Sequence, residues 1–417
     1  VPAEVARYLS SPVLMLAAWL AGGVVCLLGV LCFAELAAAF PASGGTYVYL
    51  RLSFGRCAAF LFGWTELTVI RTGSIASVAF IFAEYLQSFF AFDKLFVKSA
   101  AVVMVLLLSF VHLAGLRYGK RIQNICVFAK MAALIGAIAI GFLFHKGSLA
   151  HITAAPAPGP PNLLSAFGLA LVPVLWTYGG WHENTFMAGE TRDVTRTVPL
   201  ALFFGIFAVA ALYLIANFFF VYMIPAQRLA GLSLFAPEIF GMLFGRWGRK
   251  VFEALIIVSS LGCVNAMIMT GSRVTDALAR DNALFASLGA TATGNGVPRR
   301  AILFNGLWAV ALIAWGTFNK LLFFTGVVFW IFIGLTAAGL IVLRRRAPGV
   351  PRPYRVWGYP FVPLLFAATC LFLTVNALIV FPGQSLFGLG LAASGIPLYL
   401  ISRRRSDFLS RSREGMV

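Results

Sequence analysis

Apolar residues run through the 417-residue chain in long blocks, and polar residues gather in the short stretches between them. Blocks long enough to cross a bilayer lie at about residues 12–40, 58–90, 97–116, 122–144, 163–186, 198–224, 251–278, 301–315, 321–343, 361–380 and 386–401, flanked by Gly, Pro or charge. A spanning helix needs ~20 residues at ~1.5 Å of rise each, so the pattern predicts eleven membrane-crossing helices preceded by a stub, residues 1–11. Several blocks exceed that length, which permits tilt without fixing an angle.

Composition narrows the class. Hydrophobic residues make up 61% of the chain and charged residues 11%, where a soluble domain carries roughly 25% charge. That much apolar surface also excludes a disordered chain. The net charge of +18, from 32 Lys and Arg against 14 Asp and Glu, would suit a nucleic-acid binder if it formed a patch. Instead the basic residues sit between apolar blocks and alternate in density. One set of loops holds only Arg7, Lys94, Lys98, Lys146, Arg228, Arg246, Arg249, Lys250 and Lys320. Arg71 and Lys130 lie inside blocks, and all other basic residues fall in the opposite loops and the tail. Positive charge stays inside, so the tail is expected in the cytoplasm and no nucleic-acid partner is expected. Eleven crossings then put Val1 near the outer face. The chain opens Val1-Pro2-Ala3-Glu4 without an initiator Met or a signal-peptide pattern, and a first half-helix is expected upstream. Cys26, Cys32, Cys57, Cys126, Cys263 and Cys370 lie in or beside apolar blocks without C-x-x-C pairing and read as small core residues.

Chemistry is sought where polar residues interrupt a block. The run Leu175-Trp176-Thr177-Tyr178-Gly179-Gly180-Trp181-His182-Glu183 sets two glycines, each costing ~1 kcal/mol in a helix, against polar neighbours, with Pro173 upstream. A helix broken in mid-membrane must spend its freed N–H and C=O groups on a cavity or a ligand, as transporter sites do. Spacing alone leaves equally open a glycine pair that lets two helices pack closely. Lys130 lies about eight residues into its block, ~12 Å from the inner end. An ammonium at that depth must pair, reach water or lose its proton, and the depth argues against simple snorkelling. Glu66 and Arg71 stand five positions apart, roughly 140° around an ideal helix, so each is expected to find its partner on another helix. Arg71 reads as a clamp rather than a gate. His112, His145 and His151 have no ligand spacing, and His182 draws notice only because it follows the glycines. There is no H-E-x-x-H motif, and the Gly115-to-Arg121 stretch falls short of a P-loop, which counts against an enzyme or an ATP-driven pump.

Several segments in order resemble the amino acid–polyamine–organocation (APC) superfamily, closest to L-type amino acid transporters and their bacterial relatives. They are Pro41-Ala42-Ser43-Gly44-Gly45-Thr46-Tyr47, Trp64-Thr65-Glu66 through Arg71, Ile122-Gln123-Asn124 with Lys130, Trp176 to Trp181 with Glu190, Arg196 and Pro199, Gly262-Cys263-Val264-Asn265 with Arg273, and Arg352-Pro353-Tyr354-Arg355 with Gly358-Tyr359-Pro360. The resemblance implies an all-α polytopic membrane protein, a single domain with the LeuT-like fold of two inverted five-helix repeats plus two peripheral helices. Residues 1–11 would end the first helix, 12–144 complete the first repeat, 163–346 form the second, 360–402 the peripheral pair and 403–417 a cytoplasmic tail. It implies a substrate site at Trp176, Thr177, Tyr178, Gly179 and Gly180, with Trp176 as an aromatic gate. Lys130 would stand where sodium-coupled relatives hold their ion, with Ser259 as its candidate partner. The implied activity is secondary amino-acid transport by alternating access, sodium-independent, either as an exchanger or coupled to protons, with no cofactor or metal. The implied location is a bacterial-type inner membrane. The family's glycine-rich first-helix motif is not in the chain. The 91–96 loop lacks the cysteine that joins animal members to a heavy chain, so no covalent partner is expected. Alternatives are an amine or polyamine exchanger, with Glu183 as the pocket carboxylate, and a transporter-like amino-acid sensor.

Overall fold

The computed structural model describes residues 1–114, 116–143, 147–153, 162–232, 235–289 and 299–403, all helical or irregular, with no strand among them. The helices in order are α1 (Pro2–Tyr8), α2 (Pro12–Ala39), α3 (Thr46–Phe54), α4 (Arg56–Thr65), α5 (Arg71–Phe90), α6 (Val97–Ala114), α7 (Leu116–Leu143), α8 (Ala150–Thr153), α9 (Leu163–Tyr178), α10 (Val194–Met223), α11 (Ala226–Ala230), α12 (Phe235–Asp281), α13 (Arg299–Trp315), α14 (Phe318–Arg346), α15 (Phe361–Val380) and α16 (Pro382–Ala393). Ten helical stretches are long and apolar enough to cross a membrane. The block expected at 301–315 is α13, whose 17 residues rise ~25 Å. His145 and the tail beyond Arg403 lie outside the described residues.

Packing divides the molecule into two main cores. One gathers α1, α2, α9, α10 and α15 around Trp19, Phe33, Leu175 and Phe366. The other gathers α3, α4, α5, α6, α12 and α13 around Phe60, Phe62, Ile75 and Val264. Helix α14 contributes to both, through Trp330 and Ile333 on one side and Phe324 and Val328 on the other. With no hydrophobic drive between helices in lipid, close approach depends on small residues. At Gly29 an added Cβ would lie 2.6 Å from the Trp181 ring, and at Gly271 it would lie 2.7 Å from the Arg71 chain.

Two helices depart from regular geometry. Helix α12 bends at Gly245, whose φ of 63° lies in the left-handed region open to glycine. Between α4 and α5 the chain forms a π-helix, Glu66–Ile70. The expectation that Glu66 and Arg71 point apart is overturned here. A π-turn bonds residue i+5 back to i, so positions five apart share a face, and the Arg71 N–H donates to the Glu66 carbonyl. The side chains then meet, with Arg71 Nη2 2.6 Å from Glu66 Oε1. The wider turn frees backbone acceptors, which are satisfied locally: the Trp308 indole donates to the Thr68 carbonyl at 2.8 Å and the Thr72 hydroxyl to the Leu67 carbonyl at 3.3 Å.

Candidate functional site

Helix α9 stops at Tyr178, at the glycine pair. The Gly179 N–H turns back to the Trp176 carbonyl at 3.0 Å, and Gly180 takes φ 92°, where a side chain would be strained. Upstream, Pro173 has no N–H to give its own turn, and the Thr177 hydroxyl donates to the Pro173 carbonyl at 2.8 Å. Beyond the glycines the chain winds as a 3₁₀-helix, Trp181–Glu190. The break lies on the seam of the two cores: Val174 and Leu175 pack into the first, Trp176 and Phe186 into the second.

A cavity of about 500 Å³ opens at this seam, a volume typical of small-molecule sites. Its wall includes Trp176, Thr177, Gly179 and Gly180 from the break, Arg71 from α5, Lys130 from α7, Ser259 and Ser260 from α12, and Thr325 from α14. The sequence-expected residues thus converge, with one exception in orientation. Tyr178 is not among the lining residues. Its ring packs 5.0 Å from Tyr213 and 6.0 Å from Trp19, and its hydroxyl donates to the Trp19 carbonyl at 3.1 Å. Two helical residues are ~200° apart, so Trp176 and Tyr178 cannot face the same side. Trp176 meets Phe318 edge to face, with centroids 5.8 Å apart.

Charge at the cavity is organised around Arg71. Its Nε donates to Glu66 at 2.9 Å and its Nη1 to Glu183 at 2.8 Å. The other oxygen of Glu183 accepts from the Thr270 hydroxyl at 2.5 Å. Glu66 and Arg71 are each 3% exposed, whereas Glu183 and Arg71 also line the cavity. Sequence spacing did not anticipate Thr270 or the Arg71–Glu183 contact. The available signal was that two lone charges in an apolar block need partners. His182 lies against Phe33, Phe186 and Phe329 at the cavity wall, and its Nδ1 has no partner. His112 faces Asn265 at 3.0 Å, and Asn265 donates on to Gln123 at 3.2 Å, joining α6, α12 and α7. Among the described residues no three His, Cys, Asp or Glu side chains cluster as a metal site.

Motif residues away from the cavity fasten helix ends. Arg273 on α12 holds Glu190, at the end of the 3₁₀ segment, at 3.0 Å. Arg51 holds Asp281 at 2.6 Å, and the Tyr47 hydroxyl donates to the same carboxylate at 3.1 Å. Fully buried Glu35 on α2 receives Arg344 on both oxygens, at 2.8 and 2.6 Å, and the Val356 N–H at 2.6 Å, with Arg352 at 3.4 Å.

Comparison with known proteins gives the family. The family model described as amino acid permease matches residues 3–396. The b(0,+)-type amino acid transporter 1 of Mus musculus is 29% identical over 392 residues, 92% of this chain and 79% of the relative. The serine/threonine exchanger SteT of Bacillus subtilis (strain 168) is 28% identical over 407 residues, 97% of this chain and 92% of the relative. The large neutral amino acids transporter small subunit 2 of Mus musculus is 30% identical over 404 residues, 93% of this chain and 74% of the relative.

Proposed function

The chain belongs to the amino acid permease family of the APC superfamily, and from that premise we propose that the cavity at the α9 break carries amino acids across the membrane by alternating access. The protein is an integral multi-pass secondary transporter and not an enzyme. The observation that carries the proposed site is the end of α9 at Tyr178, placed in the wall of a cavity that Lys130 also lines. The C-terminal end of a helix is electronegative and suits the substrate ammonium, which Thr177, Gly179 and Gly180 would receive beside the Trp176 gate. Lys130 and Ser259, both on the cavity wall, form the coupling site, where the lysine stands in for a cation or loads a proton. Transport is therefore sodium-independent, as exchange or proton symport.

The density of Arg in alternate loops supports a cytoplasmic C-terminus. The 91–96 loop contains no cysteine, which supports a protein that works without a covalent heavy chain. The amine-exchanger alternative is not favoured. The relatives named above are amino-acid transporters, and the carboxylate that reading relied on, Glu183, is already held by Arg71 and Thr270.

The complete protein in proteoliposomes is expected to exchange or accumulate labelled neutral amino acids without sodium. Lys130→Ala should cut uptake by at least an order of magnitude while the protein stays folded. Strict sodium dependence, or unchanged uptake and pH profile in Lys130→Ala, would remove Lys130 from the coupling role.

A further inference from the structure

The cavity wall holds an ion pair on a guanidinium that already has another carboxylate partner. Arg71 is already paired through Glu66, on the buried side of the π-helix, by Nε at 2.9 Å and Nη2 at 2.6 Å. Glu66 does not line the cavity. Glu183 comes from the other side of the seam, in the first turn after the glycines, where its N–H donates to the Gly180 carbonyl at 3.0 Å. Its carboxylate occupies the remaining terminal nitrogen, Nη1, at 2.8 Å and is steadied by Thr270. Arg71 and Glu183 both face the cavity. The guanidinium would otherwise offer an N–H fork to any carboxylate in that space, the geometry in which arginine binds acids best.

We propose that Glu183 sets the charge selectivity of the transporter: by capping Arg71 it reserves the cavity for amino acids with uncharged side chains and turns away acidic ones. This rests on the amino-acid reading of the same site. An acidic side chain entering the cavity meets the Glu183 carboxylate instead of a free guanidinium, and like charges brought together in such a site repel strongly. The formal charges agree: Glu66 and Glu183 balance Arg71 and Lys130, leaving no net charge to reward a charged side chain. Without Glu183, Arg71 keeps its charge and its Glu66 anchor, but presents Nη1 to the cavity.

The test uses glutamine and glutamate, which differ in side-chain charge and little in shape, as labelled probes in proteoliposomes. The unaltered protein should take glutamine over glutamate by on the order of tenfold or more. Glu183→Gln keeps an acceptor oxygen for Arg71 and turns its NH2 toward the Thr270 hydroxyl while removing the charge, and should lower that preference about tenfold. Glu183→Ala, which also vacates the space, should lower it further. Should either variant lose flux, the thermal stabilisation of the purified protein by each probe reads occupancy directly, and glutamate should now stabilise it. Equal uptake of both probes by the unaltered protein would overturn the proposal. So would an unchanged glutamine-to-glutamate ratio in both variants. If neither glutamine, glutamate nor any other amino acid moves or binds, the amino-acid reading fails first and this inference with it.

Discussion

The protein buries two clusters of charge that mirror one another in composition. At the cavity one arginine, Arg71, lies between two carboxylates, Glu66 and Glu183. Where α2 and α14 end, one carboxylate, Glu35, lies among Arg344, Arg352 and the Val356 N–H. In the second cluster both carboxylate oxygens are filled by donors from α14 and the loop before α15, and no member lines the cavity. It joins three segments and offers the cavity no face. In the first cluster two members border open space, so the same chemistry is available to whatever enters. The difference shows that an ion pair's role is set less by its strength than by which of its groups faces a void.

Removing the shared arginine tests the first cluster most severely. Arg71→Met would leave Glu66 buried and unpaired and should destabilise the protein by about 3–5 kcal/mol, read as a large fall in the thermal midpoint together with lost uptake. Glu35→Gln should cost about 2–3 kcal/mol by the same measurement, because amide hydrogens would replace an acceptor that faces Arg344 and Val356. The contrast lies in selectivity: the glutamine-to-glutamate ratio should stay put in Glu35→Gln. A shifted ratio there would merge the two clusters into one functional unit. Gly180→Ala places a Cβ at φ 92° and should cost about 1–2 kcal/mol, with uptake reduced because Glu183 hangs from that turn. Thr270→Val is the mildest change, about 0.5–1.5 kcal/mol. It should weaken the preference for glutamine less than Glu183→Gln does. A larger effect would make the hydroxyl, not the carboxylate, the selective group.

Much of the architecture was legible in the sequence because lipid allows few choices. Long apolar blocks became helices, the Gly179 and Gly180 pair became a real break, and Lys130, singled out by depth and by the family resemblance, lines the cavity. Three features were not legible. A π-turn adds one residue without altering the apolar pattern, so an ideal 3.6-residue period put Glu66 and Arg71 apart when they touch. The exclusion of the Tyr178 ring from the cavity follows from helix geometry, but a motif quoted as a run hides it. The contact of Arg71 with Glu183 joins positions 112 residues apart, which no local spacing encodes.

The 3₁₀ winding of Trp181–Glu190 has a consequence in length. Runs of that winding seldom exceed three or four residues, because each turn is tighter and its bonds are poorer. Ten residues at ~2.0 Å of rise reach ~20 Å, where an α-helix of the same ten would reach ~15 Å. The Glu183 contact to Arg71 near one end and the Glu190 contact to Arg273 at the other lie seven residues apart, and the 3₁₀ winding sets them ~3.5 Å further apart along the axis than an α-helix would.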